Sequence, residues 1–560
     1  MDYDIIVIGS GAGGLTAAVA LAQAGKKVLV LEQHDRPGGW THSFTLNGYR
    51  FSPGVHYIGD LQEGGGLRRI YDGLGVSQDP STGSGQRLTF VELNPDGYDH
   101  IIVGEKKIDF PKGKENLIER LKSHFPHEAR GIDSYFADMQ SMIDGLRNIG
   151  NLSSPLQAAR SAGSVLKWVR ATGADFINSN VSDPVLRGVL AGQAGDHGLP
   201  PSQVSAFMHA GITHHYLDGG YYPLGGAFTL PRAFVRALKR AGGEIRLQSR
   251  VKRILLEGRK VIGVEMDSGE EIRAGVVISN ADPEVTFGQL IGRDQLPPRL
   301  KRKVDSVKYS TSCLSLFFAT DMDLRSEGLD SGNMWYYDHA DVDKIYSDGL
   351  TDALLREETP PGMFLTVTTL KDPSKMHSGH HTCESFAFVG YEAFEKWAQT
   401  KRYAGARPTD YDAMKEDLAW RMVRGLEKRI PGLSKHIVYY SLGTPLTNEH
   451  YLNATRGNLY GIDKRPTQVG PLGFSPRTEF DGLYLCGAST ISHGVAGVTA
   501  SGINAAKAVL NCRTRDILTP AGSGPGPLFL QAGDTSTWPE HLRRKMERGE
   551  KAREDEEREI

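Results

Sequence analysis

Residues 3–32, YDIIVIGSGAGGLTAAVALAQAGKKVLVLE, decide the fold because they follow the order strand, glycine turn, helix and second strand. The first apolar run, residues 5–8, is short and β-branched, which is typical of a parallel strand buried on both faces. An alanine-rich helix is predicted over residues 15–24, and Val28–Leu31 predicts the second strand. This order within roughly thirty residues is that of one βαβ unit.

The turn between the first strand and the helix has the G-x-G-x-x-G spacing in Gly9, Gly11 and Gly14. The first glycine permits a tight turn, the second lets the backbone approach a pyrophosphate, and the third lets the helix pack close to the sheet. The helix N-terminus favours a phosphate charge, and Glu32 can accept hydrogen bonds from ribose hydroxyls. The unit therefore predicts a dinucleotide site. An acid at this point argues against a 2′-phosphate and leaves FAD or NAD.

A second pair of glycines follows in residues 33–43, QHDRPGGWTHS. This segment resembles the second glycine motif of the flavin-dependent amine oxidase and phytoene desaturase superfamily, in which the paired glycines lie against the phosphates and ribityl chain of FAD. The resemblance implies that Gly38 and Gly39 contact FAD and that Arg36 lies beside them. Adjacent glycines expose N–H groups to an anion, and an arginine adds charge. Amine oxidases usually carry an arginine where this chain has Trp40, so the resemblance to them is weaker.

Within this superfamily, the sequence resembles the branch that contains the retinol saturases, the carotenoid isomerases and the bacterial phytoene desaturases. Residues 31–59, 110–136 and 482–498 carry it. The chain departs from the bacterial desaturase signature at residues 491–494, ISHG, and it has Ala488 where many relatives carry an acid. The resemblance implies an α/β fold: a discontinuous Rossmann-type FAD-binding domain with a mixed α+β substrate domain.

Together, the glycine pattern and the resemblance predict one FAD site assembled from both ends of the chain. Val251 is included because the residue at this position lies on the adenine side in folds of this class. With FAD assigned to this site, NAD is expected only as a transient reductant. The predicted FAD-binding residues are Gly9, Gly11, Ala12, Gly13, Gly14, Glu32, Gln33, Arg36, Gly38, Gly39, Trp40, Val251, Gly487, Ala488, Gly497 and Val498.

Six segments are expected along the chain. A predicted helix over residues 164–177 is either core-facing or a membrane-docking lid over the substrate entrance, because Val165, Leu166 and Val169 lie beside basic residues. The segments are 1–110, the first part of the FAD domain; 111–240, a helical entry or lid region; 241–284, the second part of the FAD domain; 285–475, the substrate domain; 476–511, the last part of the FAD domain; and 512–560, a linker and charged tail.

Composition excludes several classes of function. The chain has 560 residues and a net charge of −2, so no global field suggests nucleic acid. Its four cysteines are far apart, which argues against disulfides and a cysteine metal cage, and the histidines of residues 377–381 match no strong zinc pattern. No apolar run of about 18 residues is present, so we expect a cytoplasmic protein, with peripheral membrane contact left open.

The chemistry expected of such a site is hydride transfer at a carbon–carbon bond, with one proton supplied or removed by the protein. Candidate proton donors are His56, Tyr57 and His493, with Glu449 as a weaker candidate. The resemblance favours saturation of a retinoid or carotenoid-type polyene. Carotenoid desaturation, cis–trans isomerisation and fatty-acyl oxidation are the alternatives, with amine oxidation and a non-enzymatic flavin-binding or membrane scaffold behind them. The redox partner stays open.

Overall fold

The computed structural model describes residues 1–79, 86–148, 163, 165–400, 408–518 and 526–548. Its strands are β1 Tyr3–Ile8, β2 Val28–Leu31, β3 Phe44–Leu46, β4 Tyr49–Phe51, β5 Gln78–Asp79, β6 Gln86–Arg87, β7 Thr89–Glu92, β8 Asp99–Val103, β9 Lys106–Phe110, β10 Tyr221–Pro223, β11 Glu244–Arg246, β12 Val251–Glu257, β13 Lys260–Met266, β14 Glu271–Ser279, β15 Ser312–Thr320, β16 Asn333–Tyr337, β17 Gly362–Val367, β18 His381–Val389, β19 Ile437–Gly443, β20 Leu483–Leu485 and β21 Leu528–Gln531. The helices are α1 Ala12–Gln23, α2 Gly66–Gly73, α3 Lys114–His124, α4 Ala129–Asn148, α5 Gly173–Asn178, α6 Pro184–Leu190, α7 Ala206–Tyr216, α8 Thr229–Arg240, α9 Pro298–Ser306, α10 Val342–Asp348, α11 Thr368–Lys371, α12 Thr409–Glu427, α13 Pro445–Leu452, α14 Gly494–Leu510, α15 Thr514–Ile517 and α16 Glu540–Arg548.

The first large sheet is the Rossmann-type sheet that the opening stretch predicts. Strands β11, β2, β1, β14 and β20 run parallel in that order. Strand β1 pairs with β2 on one side and with β14 on the other, and β14 pairs with β20 near the C-terminus of the chain. The sheet therefore draws its strands from both ends of the sequence, and the predicted discontinuous α/β fold is confirmed.

Small residues bring three helices against one face of this sheet. Helix α1 packs against both α14 and α8. A Cβ atom at Gly14 would collide with the carbonyl oxygen of Gly9, and one at Gly502 would collide with the carbonyl oxygen of Gly13. The glycines therefore set how closely α1 approaches both the first strand and α14.

A second seven-stranded sheet, in the order β19, β15, β18, β17, β16, β8 and β9, forms the body of the substrate region. Strand β8 pairs in parallel with β16, and β9 pairs antiparallel with β8. Residues 99–110 thus belong to this second sheet, although the predicted division puts them in the first part of the FAD domain. No local pattern marks the change, because it depends on pairing with a strand more than two hundred residues away.

Two strand predictions need correction. The pattern of residues 244–256 predicts one strand, but β11 and β12 are separate and lie at opposite edges of the first sheet. Gln248 has a φ of +51° in the connection, a left-handed conformation that ends an extended strand. The run of Phe, Leu, Val and Thr over residues 364–370 predicts a second strand, but β17 ends at Val367 and the next residues form helix α11.

Parts of some predictions fall outside the described residues. This applies to most of the predicted linker over 519–527, to residues 549–560 of the predicted charged tail, and to the first residue of the helix expected over 164–177. Within the described ranges, no helix combines the length and apolarity needed to cross a membrane.

Candidate functional site

A cavity of about 1420 Å³ lies between the two large sheets, and residues from near both ends of the chain line it. It exceeds the roughly 300–1,000 Å³ of common small-molecule pockets. All the predicted FAD-binding residues except Gly14 line it, and so do the predicted proton donors His56, Tyr57 and His493. Gly14 lies behind the wall, where it contacts the first strand. The expected residues from distant segments therefore meet in one cavity.

Two helix N-termini open onto one end of this cavity, which we call the glycine end: Gly9, Gly11 to Gly13, Gly38, Gly39 and Gly487. Helix α1 begins at Ala12 and α14 begins at Gly494, and residues of both first turns line the wall. The first N–H groups of a helix lack intrahelical partners and carry partial positive charge. The glycine end is therefore suited to an anionic group such as a pyrophosphate.

Glu32 and the second glycine motif are linked through Ser10, which the sequence analysis did not single out. Glu32 Oε2 accepts hydrogen bonds from the Ser10 N–H at 2.8 Å and from the Ser10 hydroxyl at 2.6 Å. The Gly38 N–H donates to Ser10 Oγ at 3.1 Å. Glu32 Oε1 accepts from the His34 N–H at 2.9 Å. The carboxylate is thus fixed beside both glycine motifs, with lone pairs left for a ligand hydroxyl.

Asn280 lies at the centre of the glycine end and was likewise missed as a site residue. It follows β14, where the strand ends between β1 and β20. A Cβ atom at Gly11 would lie 2.6 Å from Asn280 Nδ2, and one at Gly487 would lie 2.9 Å from Asn280 Oδ1. Its side chain therefore fills the space that the glycines of both chain ends leave free. The recognisable signal is its position, since ligands of open α/β sheets bind at the carboxyl ends of the strands.

The opposite end of the cavity is aromatic. Tyr57 and Tyr216 stack with ring centroids 4.2 Å apart, and the His56 ring lies 4.7 Å from that of Phe386. Trp335 and Phe364 continue this wall, with their centroids 4.6 Å apart. Flat apolar walls of this kind favour an extended, unsaturated or aliphatic ligand.

Two carboxyl groups contact the Tyr57 hydroxyl at this aromatic end. The hydroxyl oxygen lies 2.9 Å from Asp99 Oδ2 and 2.8 Å from Asp196 Oδ2. Asp196 lines the cavity, whereas Asp99 is fully buried behind it. We call these three residues the acid cluster. Neither aspartate was predicted, because no sequence spacing connects them.

Asp99 and Asp196 differ in the hydrogen-bond donors that contact them. Asp99 accepts from Gln193 at 2.7 Å and from Asn333 at 3.0 Å. Burial raises the pKa of Asp99 to about 6, although these donors act against the rise. Burial and the nearby Asp99 charge raise the pKa of Asp196 to about 8. The pKa of Asp196 is therefore raised further than that of Asp99.

A buried lysine supports this arrangement. Lys371 donates to Asn333 Oδ1 at 2.5 Å and to the carbonyl oxygen of His56 at 2.7 Å. Burial lowers the pKa of Lys371 to about 7, and the charges of Asp99 and Glu384 oppose that shift. Sequence reasoning gave no sign of this lysine, because it lies in an ordinary turn of helix α11.

The predicted proton donors are poorly suited to donate. Burial lowers the pKa of His493 to about 3 and also lowers the pKa of His56, whose Nδ1 lies 2.8 Å from Glu384 Oε2. Burial raises the pKa of Tyr57 well above its usual value. Neutral imidazoles and a strongly bound phenol proton are weak acids at neutral pH. Glu449 does not line the cavity and accepts a hydrogen bond from Tyr391 at 2.8 Å.

The family described as flavin containing amine oxidoreductase matches residues 12–510 of this sequence. The chain belongs to this family. It is therefore a flavin-dependent oxidoreductase, and the match covers both ends of the cavity wall.

Among the described residues, no group of three or more histidine, cysteine, aspartate or glutamate side chains could hold a metal ion.

Individual relatives agree with the family assignment. All-trans-retinol 13,14-reductase from Danio rerio is 31% identical over 538 residues, which are 91% of this chain and 86% of that protein. The chloroplastic prolycopene isomerase of Arabidopsis thaliana is 29% identical over 524 residues, 90% of this chain and 82% of that protein. The solved structure of cyclohexylamine oxidase from Brevibacterium oxydans IH-35A superposes with a TM-score of 0.58 at 19% identity, covering 91% of this chain and 99% of that one, and shows the shared fold.

Proposed function

We propose that this protein is an FAD-dependent oxidoreductase that saturates a carbon–carbon double bond of a long apolar polyene of the retinoid or carotenoid type. The observation that carries the proposal is one cavity with an anion-binding glycine end and an aromatic end. The relatives named all-trans-retinol 13,14-reductase and prolycopene isomerase support a polyene substrate.

FAD fits the glycine end by chemistry. Two helix N-termini and the paired glycines would hold the pyrophosphate, and Arg36 would add positive charge beside it. Glu32 would accept the adenosine ribose hydroxyls, with Val251 on the adenine side. Residues Gly487 and Ala488 would let the backbone approach the flavin. When bound, the flavin supplies or accepts the hydride, and the protein supplies the orientation and the proton.

The aromatic end would orient the substrate. Tyr57, Tyr216 and Phe386 present flat apolar surfaces on which a conjugated chain can lie, and they exclude water from the reacting carbons. Amine oxidation is the weaker alternative, since Trp40 stands in the second glycine motif where amine oxidases usually carry arginine. The second candidate reaction is cis–trans isomerisation of a carotenoid, which the similarity to prolycopene isomerase favours.

Peripheral contact with a membrane would deliver such a substrate. Four apolar side chains that line the cavity, Leu146, Val169, Leu472 and Ile491, are at least 43% exposed, and the 73% exposed Leu166 lies next to the lining residue Val165. We call this exposed apolar patch the cavity entrance. Monotopic proteins dock on bilayers through apolar patches of this kind, without a spanning helix.

The function is tested by product mass. Purified holoenzyme is incubated with a panel of retinoids and carotenoids, once with dithionite and once with an electron acceptor. A gain of two hydrogens under reducing conditions supports saturation. A loss of two hydrogens would assign a desaturase, an unchanged mass with altered geometry would assign an isomerase, and release of an amine from an amine panel would overturn the lipid substrate.

A further inference from the structure

The acid cluster contains one hydrogen bond more than the tyrosine can donate. A phenol carries a single proton, so the Tyr57 hydroxyl can donate to Asp99 or to Asp196 but not to both. Both carboxylate oxygens nevertheless lie within 2.9 Å of the hydroxyl oxygen. The second contact therefore requires a proton on one of the two carboxyl groups, because otherwise one ionised carboxylate oxygen would face a lone pair of the phenol oxygen with no proton between them.

The hydrogen-bond partners decide which carboxyl group carries that proton. Asp99 receives bonds from the amide groups of Gln193 and Asn333, which stabilise its ionised form. Among the described residues, only Tyr57 hydrogen-bonds the side chain of Asp196. The proton therefore resides on Asp196, which donates to Tyr57, and Tyr57 in turn donates to Asp99.

The surroundings of Asp196 act in the same direction. Among the residues that the structure describes, the ionisable side chains that face Asp196 are Tyr57, Asp99, Tyr216, Tyr337, Tyr346 and Tyr460, and of these only Asp99 is charged at neutral pH. A carboxyl group beside a fixed negative charge and aromatic rings keeps its proton. Asp196 also reaches the cavity, as Gly195 and Tyr57 do, whereas Asp99 does not.

We propose that Asp196, as a protonated carboxylic acid, delivers the proton that completes saturation of the double bond. The inference rests on the proposed function. One carbon of the double bond gains a hydride, with the reduced flavin as the two-electron reductant. The Asp196 O–H bond breaks as a C–H bond forms at the other carbon, and solvent reprotonates the resulting carboxylate. Tyr57 and Asp99 are positioning residues that hold Asp196 in place.

The protonated state is tested on the holoenzyme by infrared spectroscopy, without substrate. The difference spectrum between wild type and D196N should contain the carbonyl stretch of a carboxylic acid at pH 7, and that band should disappear as the pH is raised through 8. The matched control is D109N. Asp109 pairs with His100 outside the cavity, and that pairing lowers its pKa to about 2, so its replacement removes a carboxylate and leaves the band unchanged.

Proton delivery is tested in a single turnover in D₂O with dithionite-reduced holoenzyme and a polyene. The wild-type product should carry two solvent deuteriums, one from the exchangeable N5 position of the reduced flavin and one from the Asp196 carboxyl group. D196N should slow reoxidation of the flavin by the polyene by about 10²- to 10⁴-fold. Reoxidation by dioxygen should be unchanged in D196N, because that reaction does not protonate carbon. Y57F is the second variant: it keeps the carboxylic acid, so its infrared band should shift in frequency and persist.

Three results would contradict the inference. One is a wild-type enzyme without a carboxylic acid band that D196N removes, and another is a D196N enzyme that reacts with the polyene at the wild-type rate. A Y57F enzyme that loses the band would show that the proton belongs to the phenol. If no polyene reoxidises the wild-type flavin while the Asp196 band is present, the proposed function and the delivery step fail together, and the protonated carboxyl group stands.

Discussion

The glycine end and the acid cluster lie in one cavity but are built by opposite means. The glycine end is made of backbone: at Gly38 the φ is +123°, and a Cβ atom would meet the Pro231 ring at 2.8 Å. No other residue satisfies such a position. The acid cluster is made of side chains from three distant segments that are joined by hydrogen bonds. Steric space therefore constrains the residues of the glycine end, and charge and hydrogen bonding constrain those of the acid cluster.

This difference predicts unequal tolerance to an added side chain. G11V should abolish retention of the flavin, because its Cβ atom would lie 2.6 Å from Asn280 Nδ2, in the wall of the proposed phosphate site. The matched variant G211V adds the same side chain at the other end of the cavity, where a Cβ atom meets nothing within 4 Å. Flavin absorbance of the purified proteins measures the effect. A fully loaded G11V protein would break the comparison.

The acid cluster should make turnover depend on pH. Asp196 delivers a proton only below its pKa, which burial and the Asp99 charge raise to about 8. The rate of polyene reduction should therefore be nearly constant below pH 7 and fall by about 50-fold between pH 8 and pH 10, with a slope that approaches tenfold per pH unit. Single-turnover rates across this range check it, with reoxidation by dioxygen as the control. A rate that rises with pH would assign the proton to a different group.

The cost of keeping that proton should appear in stability. The folded-state pKa of Asp196 lies above its unfolded value of 3.8, so the folded state binds more protons between pH 4 and pH 8. The contribution of Asp196 to stability is complete below pH 4 and is lost as pH rises through 8. D196N does not titrate, so its stability relative to wild type should rise by up to about 1.4 kcal/mol per pH unit across that window.

Urea unfolding of wild type, D196N and D109N at pH 5 and pH 7 measures this difference. D109N serves as the opposite case, because the Asp109 pKa is lowered to about 2 by its pairing with His100, and its loss should destabilise the protein at both values. An acid retained at the expense of stability is what a functional role predicts. Equal stability differences for D196N at the two pH values would place its proton elsewhere.

The glycine end could be predicted from the sequence because its requirement is local. Gly9, Gly11 and Gly14 sit at fixed spacing next to a strand and a helix, and the geometry they permit is the same wherever that unit occurs. Ser10 and Asn280 were missed, although both lie inside the predicted segments, because many residue types can end a strand. Their roles depend on contacts with glycines that are distant in sequence.

The acid cluster could not be predicted, because topology alone brings it together. Asp99 lies on β8 and contacts Tyr57 because β8 pairs in parallel with β16. The same pairing places residues 99–110 in the second sheet, outside the predicted FAD domain. Asp196 lies in a short turn with no catalytic spacing. The histidines that looked chemically able, His56 and His493, are neutral for a reason that only burial reveals.

The smallest effect is expected at the cavity entrance, where apolar side chains face solvent. Leu166 is 73% exposed and Val169 is 43% exposed, and Lys167 and Arg170 lie beside them. Replacing both apolar residues by aspartate should reduce flotation with liposomes several-fold and leave flavin content intact, because each buried apolar side chain contributes about 1.5–3 kcal/mol when fully transferred and less at an interface. V438D is the matched control, since Val438 is 40% exposed and does not line the cavity. Equal losses of flotation in the two proteins would show that the cavity entrance makes no specific membrane contact. The apolar side chains of the cavity would then serve only the substrate at the aromatic end.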